Sequence, residues 1–315
     1  MITAIHYHGG KLKYDMGINA AQALDYLETP AHVWLDIVKE EGTEIEKILK
    51  VLFPEHYMLL MKDCLEDSMP KLEFFENFVF MVFKTFPTKE FKYSQLNVIL
   101  GKDIIITIRQ GKTNLAHLQE SIIKQGKISV DFVLYRMLDT IFEHYYNMMD
   151  SLENETEKCE AICVDRPDVK NLRSILQLKR NLISLHRILA HEREILSILI
   201  KSNIKQIKPK TTLFFRDVYD DILHLIDTEE TIRDVLSGSI EIHLSSVNNS
   251  INEIVKILTI ISAFVMVPTM IAGVYGMNFK FMPELGSIFG YPFALSLMGV
   301  SVFGMYLFFR RKGWM

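Results

Sequence analysis

The stretch Val274–Leu285, VYGMNFKFMPEL, decides how the chain is read, because it separates two long runs that carry no charge. No charged residue lies between Lys256 and Lys280, and none between Glu284 and Arg310. Each run exceeds the roughly 20 residues that a helix needs to cross a bilayer core. Two such runs in series, joined by a short loop, read as spans rather than as helices of a soluble core. Arg310-Arg311-Lys312 follow the second run, whereas the loop holds only Lys280 and Glu284. Basic flanks stay cytoplasmic, so both chain ends are expected there, in a multi-pass membrane protein.

Working back from this loop, an apolar rhythm at three- and four-residue steps leads into the first span. It runs through Val218, Ile222, Leu225, Ile232 and Leu236 and resumes at Ile240, Leu244, Val247, Ile251 and Ile254, with only Gly238 as an interruption. One continuous helix is expected from about Thr211 to Tyr275, roughly 100 Å long at about 1.5 Å per residue. A lone helix of that length has too little core and must pack on copies of itself or on its own hairpin. That hairpin is expected from Ser129 to Pro167 and from Val169 to Lys201. Its tip carries Glu153, Glu155, Glu157, Glu160, Asp165 and Asp168, which read as a solvated acidic end.

Residues 1–128 mix β-like runs (ITAIHYH, HVWLDIV, LEFFENFVFMVFKTF, LNVILGKDIIITIRQG) with the helical patterns EIEKILKVLF and NLAHLQESIIKQ. The expected organisation is therefore an α/β cytoplasmic domain over 1–128, a long helical hairpin and stalk helix over 129–253, and a two-span transmembrane domain over 254–315. His6 and His8 alternate on one strand and, lacking a third ligand nearby, read as ordinary strand histidines.

Several functions are excluded. A net charge of −4 and a pI near 6.2 give no electrostatic footprint for nucleic acid. Gly9-Gly10 is followed by neither dinucleotide nor P-loop spacing, so no nucleotide partner is expected. No Ser/His/Asp arrangement, CxxC pair or HExxH motif suggests an enzyme. Cys64, Cys159 and Cys163 are too few for a disulfide framework and read as reduced thiols. The N-terminal MITAIHYHGGKLKYD lacks the pattern of a secretory signal, so insertion is assigned to the C-terminal segments.

Inside the first span one line of residues differs from the rest: Asn252, Val255, Leu258, Ser262, Met266, Thr269 and Gly273 share a helix face. The remainder is dominated by Ile, Val and Phe. Small residues can mediate close helix packing, but packing has no need of Asn252 at the entrance, and a pore lining accounts for it. No Asp, Glu or His lies within either span, which argues against a proton relay or direct carboxylate coordination. An ion crossing here keeps its water. Magnesium suits that requirement, since it dehydrates reluctantly. Carbonyls around Gly276 and the Asn278 side chain, repeated around a symmetric oligomer, would face such a hydrated ion as a ring of dipoles. A helix C-cap and turn at the same residues is the alternative reading, and the two are compatible. Leu258 and Met266 are the expected apolar constriction.

YGMNF followed by MPEL and GYP, between two C-terminal spans, resembles the CorA family of magnesium transporters. NEIVKILTIISAFVMVPTMIAGVYGMN, FFRDVYDDI near Asp217 and PKLEFFENFVF near Pro70 extend the likeness, as does the order of domains. The resemblance implies a funnel-shaped homopentamer embedded in membrane lipids, with first spans lining a central pore and Gly276, Met277 and Asn278 as selectivity filter. It implies transport of Mg2+, with Co2+ or Ni2+ as further cargo, and closure by cytoplasmic Mg2+ bound between neighbouring domains. The family's stalk aspartate matches Asp217, with Asp220 as a second candidate. Its partner, normally in a Glu-Asp pair, is matched by Asp63 in MKDCLEDSMPK, where Lys62 replaces the Glu; Asp67 is the alternative. A zinc transporter of the same superfamily and a non-conducting, membrane-anchored coiled-coil sensor are the competing functions.

Overall fold

The structure, a computed structural model, describes residues 1–8, 11–27, 32–39, 42–88, 90–110, 113, 115–125, 129–165, 169–280 and 282–314. The side chains of His8, Cys163 and Asp165, and all of Gly9, Gly10, Pro167 and Asp168, lie outside the described residues. The chain forms two compact units, Met1–Ile240 and Glu241–Met315.

In the first unit seven strands make one sheet: β1 (Ile2–His8), β2 (Lys11–Ile18), β3 (His32–Lys39), β4 (Lys71–Phe74), β5 (Val79–Thr85), β6 (Ser94–Leu100) and β7 (Ile104–Gln110), in the order β2-β1-β3-β7-β6-β5-β4. Among the described residues only β3 and β7 pair in parallel. The run LEFFENFVFMVFKTF is two strands, since β4 turns back on β5, pairing Phe74 with Val79 and Lys71 with Val82. Side chains alternate between two apolar layers. Val79, Met81 and Phe83 face one core, and Phe80 and Val82 face the other. Helices α1 (Ala20–Asp25), α2 (Gly42–Leu52) and α3 (Tyr57–Leu65) cover the second core. The first is covered by α4 (Ala116–Gln125) and by the hairpin of α5 (Val130–Asp165) and α6 (Val169–Lys201). Leu134, Leu138, Leu182, Leu189, Val218 and Leu225 belong to the same cluster as Trp34 and Phe83. Described residues on either side of the boundary expected after residue 128 thus share one apolar cluster.

Helix α7 runs from Pro209 to Tyr275, through Gly238, and contributes to both units. Its start is held by Asp131 of α5, whose carboxylate accepts from Lys208 N (3.1 Å) and Thr211 Oγ1 (2.6 Å). Such a carboxylate satisfies donors that a helix N-terminus leaves open. The second unit adds a short 3-10 turn at Pro283–Gly286 and α8 (Gly290–Arg311). Gly290 is required where it stands, because a Cβ there would meet Glu284 O at 1.9 Å.

The hairpin is fastened to the sheet where β4 ends. Beyond Val82 strand β5 has no strand partner on that side among the described residues, and two side chains complete it. Glu192 of α6 accepts from Lys84 N at 2.8 Å, and Tyr145 of α5 donates to Lys84 O at 3.2 Å. Glu192 is fully buried, and burial pushes its carboxyl up to about 8, against the opposing effect of Lys84 N–H, Tyr145 and the Lys84 ammonium. The folded state thus holds a proton that the unfolded state loses above its ordinary value of 4.5. Stability should fall as pH rises between these values, by at most about 1.4 kcal/mol per unit. Thermal unfolding from about pH 6 to about pH 8 should show this slope in the wild type and lose it in Glu192→Gln, which mimics the neutral acid. An unchanged slope would assign the titration elsewhere.

Candidate functional site

Both apolar segments are helices long enough to span a bilayer, and few of their side chains are buried within the chain. A core helix of a soluble protein would be covered. Helix α8, with 22 residues, rises about 33 Å.

The burial that does occur on α7 picks out one face. Ile260 is buried, and Lys256, Ala263, Phe264, Val267, Pro268, Ile271 and Tyr275 are half-buried. Phe264 on this face meets Phe309 of α8 with ring centroids 5.9 Å apart. At about 100° per residue, the line Asn252, Val255, Leu258, Ser262, Met266, Thr269 and Gly273 lies roughly opposite. All seven are exposed. The polar line therefore points away from α8. Thr269 donates its hydroxyl hydrogen to Val265 O at 2.7 Å, which leaves the oxygen's lone pairs as acceptors. The face offers neutral oxygens and apolar surface, a set that can hydrogen-bond the water around a cation but not replace it.

Helix α7 ends in a tightened turn, with Gly276 N on Ala272 O (2.9 Å), Met277 N on Val274 O (3.3 Å) and Phe279 N on Met277 O (3.0 Å). Carbonyls of a last turn have no partner within their helix. Met277 and Asn278 are exposed, and the Asn278 amide makes no hydrogen bond among the described residues. This is the geometry of a helix end, and a ring of dipoles would need further copies of the chain around it.

The four carboxylates expected to bind regulatory metal fall into two settings within the first unit. Asp217 and Asp220 are exposed on α7, in an open groove with Lys210, Leu213, Phe214 and Arg216. Asp63 and Asp67 already have cations of their own. Asp63, on α3, is buried and bonded to Lys71 at 2.8 Å, and Lys71 also holds Glu73 at 2.7 Å. Burial tends to lower the Lys71 ammonium, but hydrogen bonds and charge attraction from Asp63 and Glu73 raise it overall. Asp67 pairs with the buried Lys84 and accepts from Tyr93 at 3.2 Å. Lys84 also donates to Gln95 at 3.1 Å. Among the described residues no group of three or more His, Cys, Asp or Glu is gathered as a metal site. Asp63 and Asp67 are thus not gathered, among the described residues, with Asp217 or Asp220 into one such group. Cys64 is buried, and burial pushes its thiol up to about 12.

The lysines are what the reading of residue types missed. Lys84 carried a signal, since a lysine inside the apolar run VFMVFKTF needs a partner. Lys71 carried none, because its contact with Asp63 depends on how β4 meets α3.

Comparison with known proteins joins these features. The family described as CorA-like Mg2+ transporter protein matches residues 30–311. The chain belongs to this family. The cobalt/magnesium transport protein CorA of Thermotoga maritima is 33% identical over 301 residues, covering 93% of this chain and 86% of that protein. Its counterpart in Methanocaldococcus jannaschii is 28% identical over 290 residues, covering 90% and 91%. The complete structure of the CorA magnesium transporter from the latter organism superposes with a TM-score of 0.85 at 26% identity, over 100% of this chain and 99% of that one. The fold class is that of CorA, and the chain is a membrane protein with two spanning helices.

Lys71→Met leaves Asp63 and Glu73 without their ammonium and should lower stability by about 1–3 kcal/mol. Adding Asp63→Asn should restore part of that loss, because a neutral amide tolerates burial better than an unpaired carboxylate. A double-mutant cycle on thermal unfolding checks this, and strictly additive losses would refute the pairing.

Proposed function

We propose that this chain conducts hydrated Mg2+ across the cell (inner) membrane as a homopentamer, with Co2+ or Ni2+ as weaker cargo. Both chain ends face the cytoplasm, and the α7 spans line the pore. The observation that carries this reading is the uncharged polar line of α7, directed away from α8 and ending at Gly276-Met277-Asn278. Family membership and its relatives' description as cobalt/magnesium transport proteins support the cargo. The ion passes the mouth by hydrogen-bonding its water to Asn278 and to backbone carbonyls. Leu258 and Met266 form an apolar neck that opens by wetting. Movement is driven by the membrane potential, which supplies about 4.6 kcal/mol for a divalent ion at 100 mV. No nucleotide enters the mechanism.

Asp217 and Asp220 are the cytoplasmic sensors, meeting Asp63 or Asp67 of a neighbouring copy. A divalent ion between copies replaces carboxylate repulsion and favours the closed ring. The Lys71 and Lys84 ammonium groups compete with that ion for Asp63 and Asp67.

Mg2+ flux into proteoliposomes tests the whole reading. Wild-type protein should take up Mg2+, and more Mg2+ than Zn2+, with uptake slowed by Mg2+ on the cytoplasmic face. Asn278→Ala should lose at least about tenfold in flux, the factor for about 1.4 kcal/mol and the scale of one lost hydrogen bond to the ion's water. Asp217→Asn should conduct but lose the slowing. Normal selective flux through correctly inserted Asn278→Ala protein would exclude the filter, and a preference for Zn2+ would exclude the cargo.

A further inference from the structure

The end of α8 is built more rigidly than a trailing basic segment requires. Gly313 adopts φ +68°, its N–H donates to Arg310 O (3.1 Å), and Trp314 N donates to Phe309 O (3.0 Å). This pair of bonds is the glycine-terminated helix stop in which the residue after the glycine folds back onto the helix. Trp314 accordingly stacks on Phe309 at 5.9 Å and 16° between planes. Phe309 in turn rests on Phe264 of α7 at 5.9 Å. From α7, Lys256 reaches across and donates to Gly313 O at 3.3 Å. Lys256 is also where the charge-free run of α7 begins, and Arg310 is where that of α8 ends. The fold thus fixes four cations, Lys256, Arg310, Arg311 and Lys312, at one level of the second unit.

None of the four is ion-paired with a carboxylate among the described residues, whereas in the first unit Lys71, Lys84, Arg109 and Arg136 all are. Arg310 Nη1 lies 3.5 Å from Tyr306 Oη and Lys312 Nζ lies 5.7 Å from the centroid of the Phe308 ring, contacts with neutral groups that orient the two cations without neutralising them. Four positive groups held together repel unless an anion joins them. At the edge of a bilayer that anion is a lipid phosphate, and each nearby Lys or Arg favours an acidic lipid surface by about 1 kcal/mol. The indole of Trp314, amphipathic and 40% exposed, belongs at the same level.

We propose that Lys256, Arg310, Arg311 and Lys312 form a binding site for the headgroup of an anionic phospholipid of the cytoplasmic leaflet. Bound there, the lipid ties the end of α8 to the start of the α7 span. Trp314 packs beside it. The site rests on the membrane-spanning reading of α7 and α8, and the test keeps the two apart.

Trp314 supplies the readout. Full-length protein is reconstituted in vesicles containing brominated phosphatidylglycerol or brominated phosphatidylcholine at matched mole fraction, and tryptophan quenching is recorded. Subtracting the signal of Trp314→Phe removes the contribution of Trp34, which is buried in the first unit. Phosphatidylglycerol should quench Trp314 with an apparent affinity roughly fivefold or more above phosphatidylcholine, the factor expected from one cation. Arg311→Gln with Lys312→Gln should bring the two lipids level, and Arg311→Lys with Lys312→Arg should keep the preference. Equal quenching by both lipids in the wild type overturns the headgroup site while leaving the spans in place. Absence of quenching by either lipid overturns the membrane reading and the site with it.

Discussion

Everything in this chain depends on the backbone hydrogen bonding of α7, which must stay satisfied both in water and in lipid. In water an irregular segment can be solvated, whereas in the hydrocarbon region an unpaired N–H or C=O costs several kcal/mol. A helix meets both conditions, so Pro209–Tyr275 changes its side chains rather than its backbone along its length. Up to Ile240 it buries Phe215, Val218, Ile222, Leu225 and Leu236 in the core of the first unit. Beyond Lys256 it carries no charge and buries almost nothing. With no charged group available in the span, an ion passing along it can be handled only by dipoles and by its own water, and the cargo and filter chemistry proposed above follow from that limitation.

The first unit is arranged to give α7 a firm base. Its sheet is buried on both faces, and the hairpin is pinned to it by Glu192 and Tyr145, which bond the Lys84 backbone where β4 no longer pairs with β5. Lys84 is a point of convergence, since its side chain also engages Asp67, Gln95 and Tyr93. Strand β5, helix α6 and the carboxylates near α3 therefore cannot shift independently. A deeper network, Asp36 with Arg109 at 2.8 Å, Thr107 at 2.7 Å and Gln119 at 2.9 Å, ties β3, β7 and α4 together in the same way. Breaking one member of such a buried set costs more than a surface pair, because the remaining charge stays desolvated.

How far the residues alone reveal this depends on the range of each interaction. The spans are legible from length and missing charge, and the return helix Val169–Lys201 from its 3.6-residue rhythm and the proline before it. The polar line of α7 is legible because helix geometry places residues three and four apart on one face; that the line points away from α8 is not, since it depends on which face α8 covers. Strand β2 and helices α1 and α3 escaped notice. KLKYDMGI is too polar to look like a strand and is one only because it pairs along β1, while YMLLMKDCL shows an apolar run without a period. Helix α1 did carry a local mark, the Asn19/Gln22 capping box. The lysine partners of Asp63 and Asp67 come from strands β4 and β5, and which carboxylate each meets depends on how those strands pack beside α3, so the spacing that suggests metal ligands does not pair them.

The central claim, that the uncharged line of α7 is wetted by the ion's path, is tested most directly by thiol accessibility. With Cys64, Cys159 and Cys163 replaced by Ala, single cysteines are placed along 252–273 and exposed to a membrane-impermeant thiol reagent in proteoliposomes. Cysteines at Asn252, Ser262 and Thr269 should react and be protected by Mg2+, while those at Ile257, Ile261 and Val265 should stay unmodified. Reactivity centred on the isoleucine face, or uniform around the helix, would contradict the account.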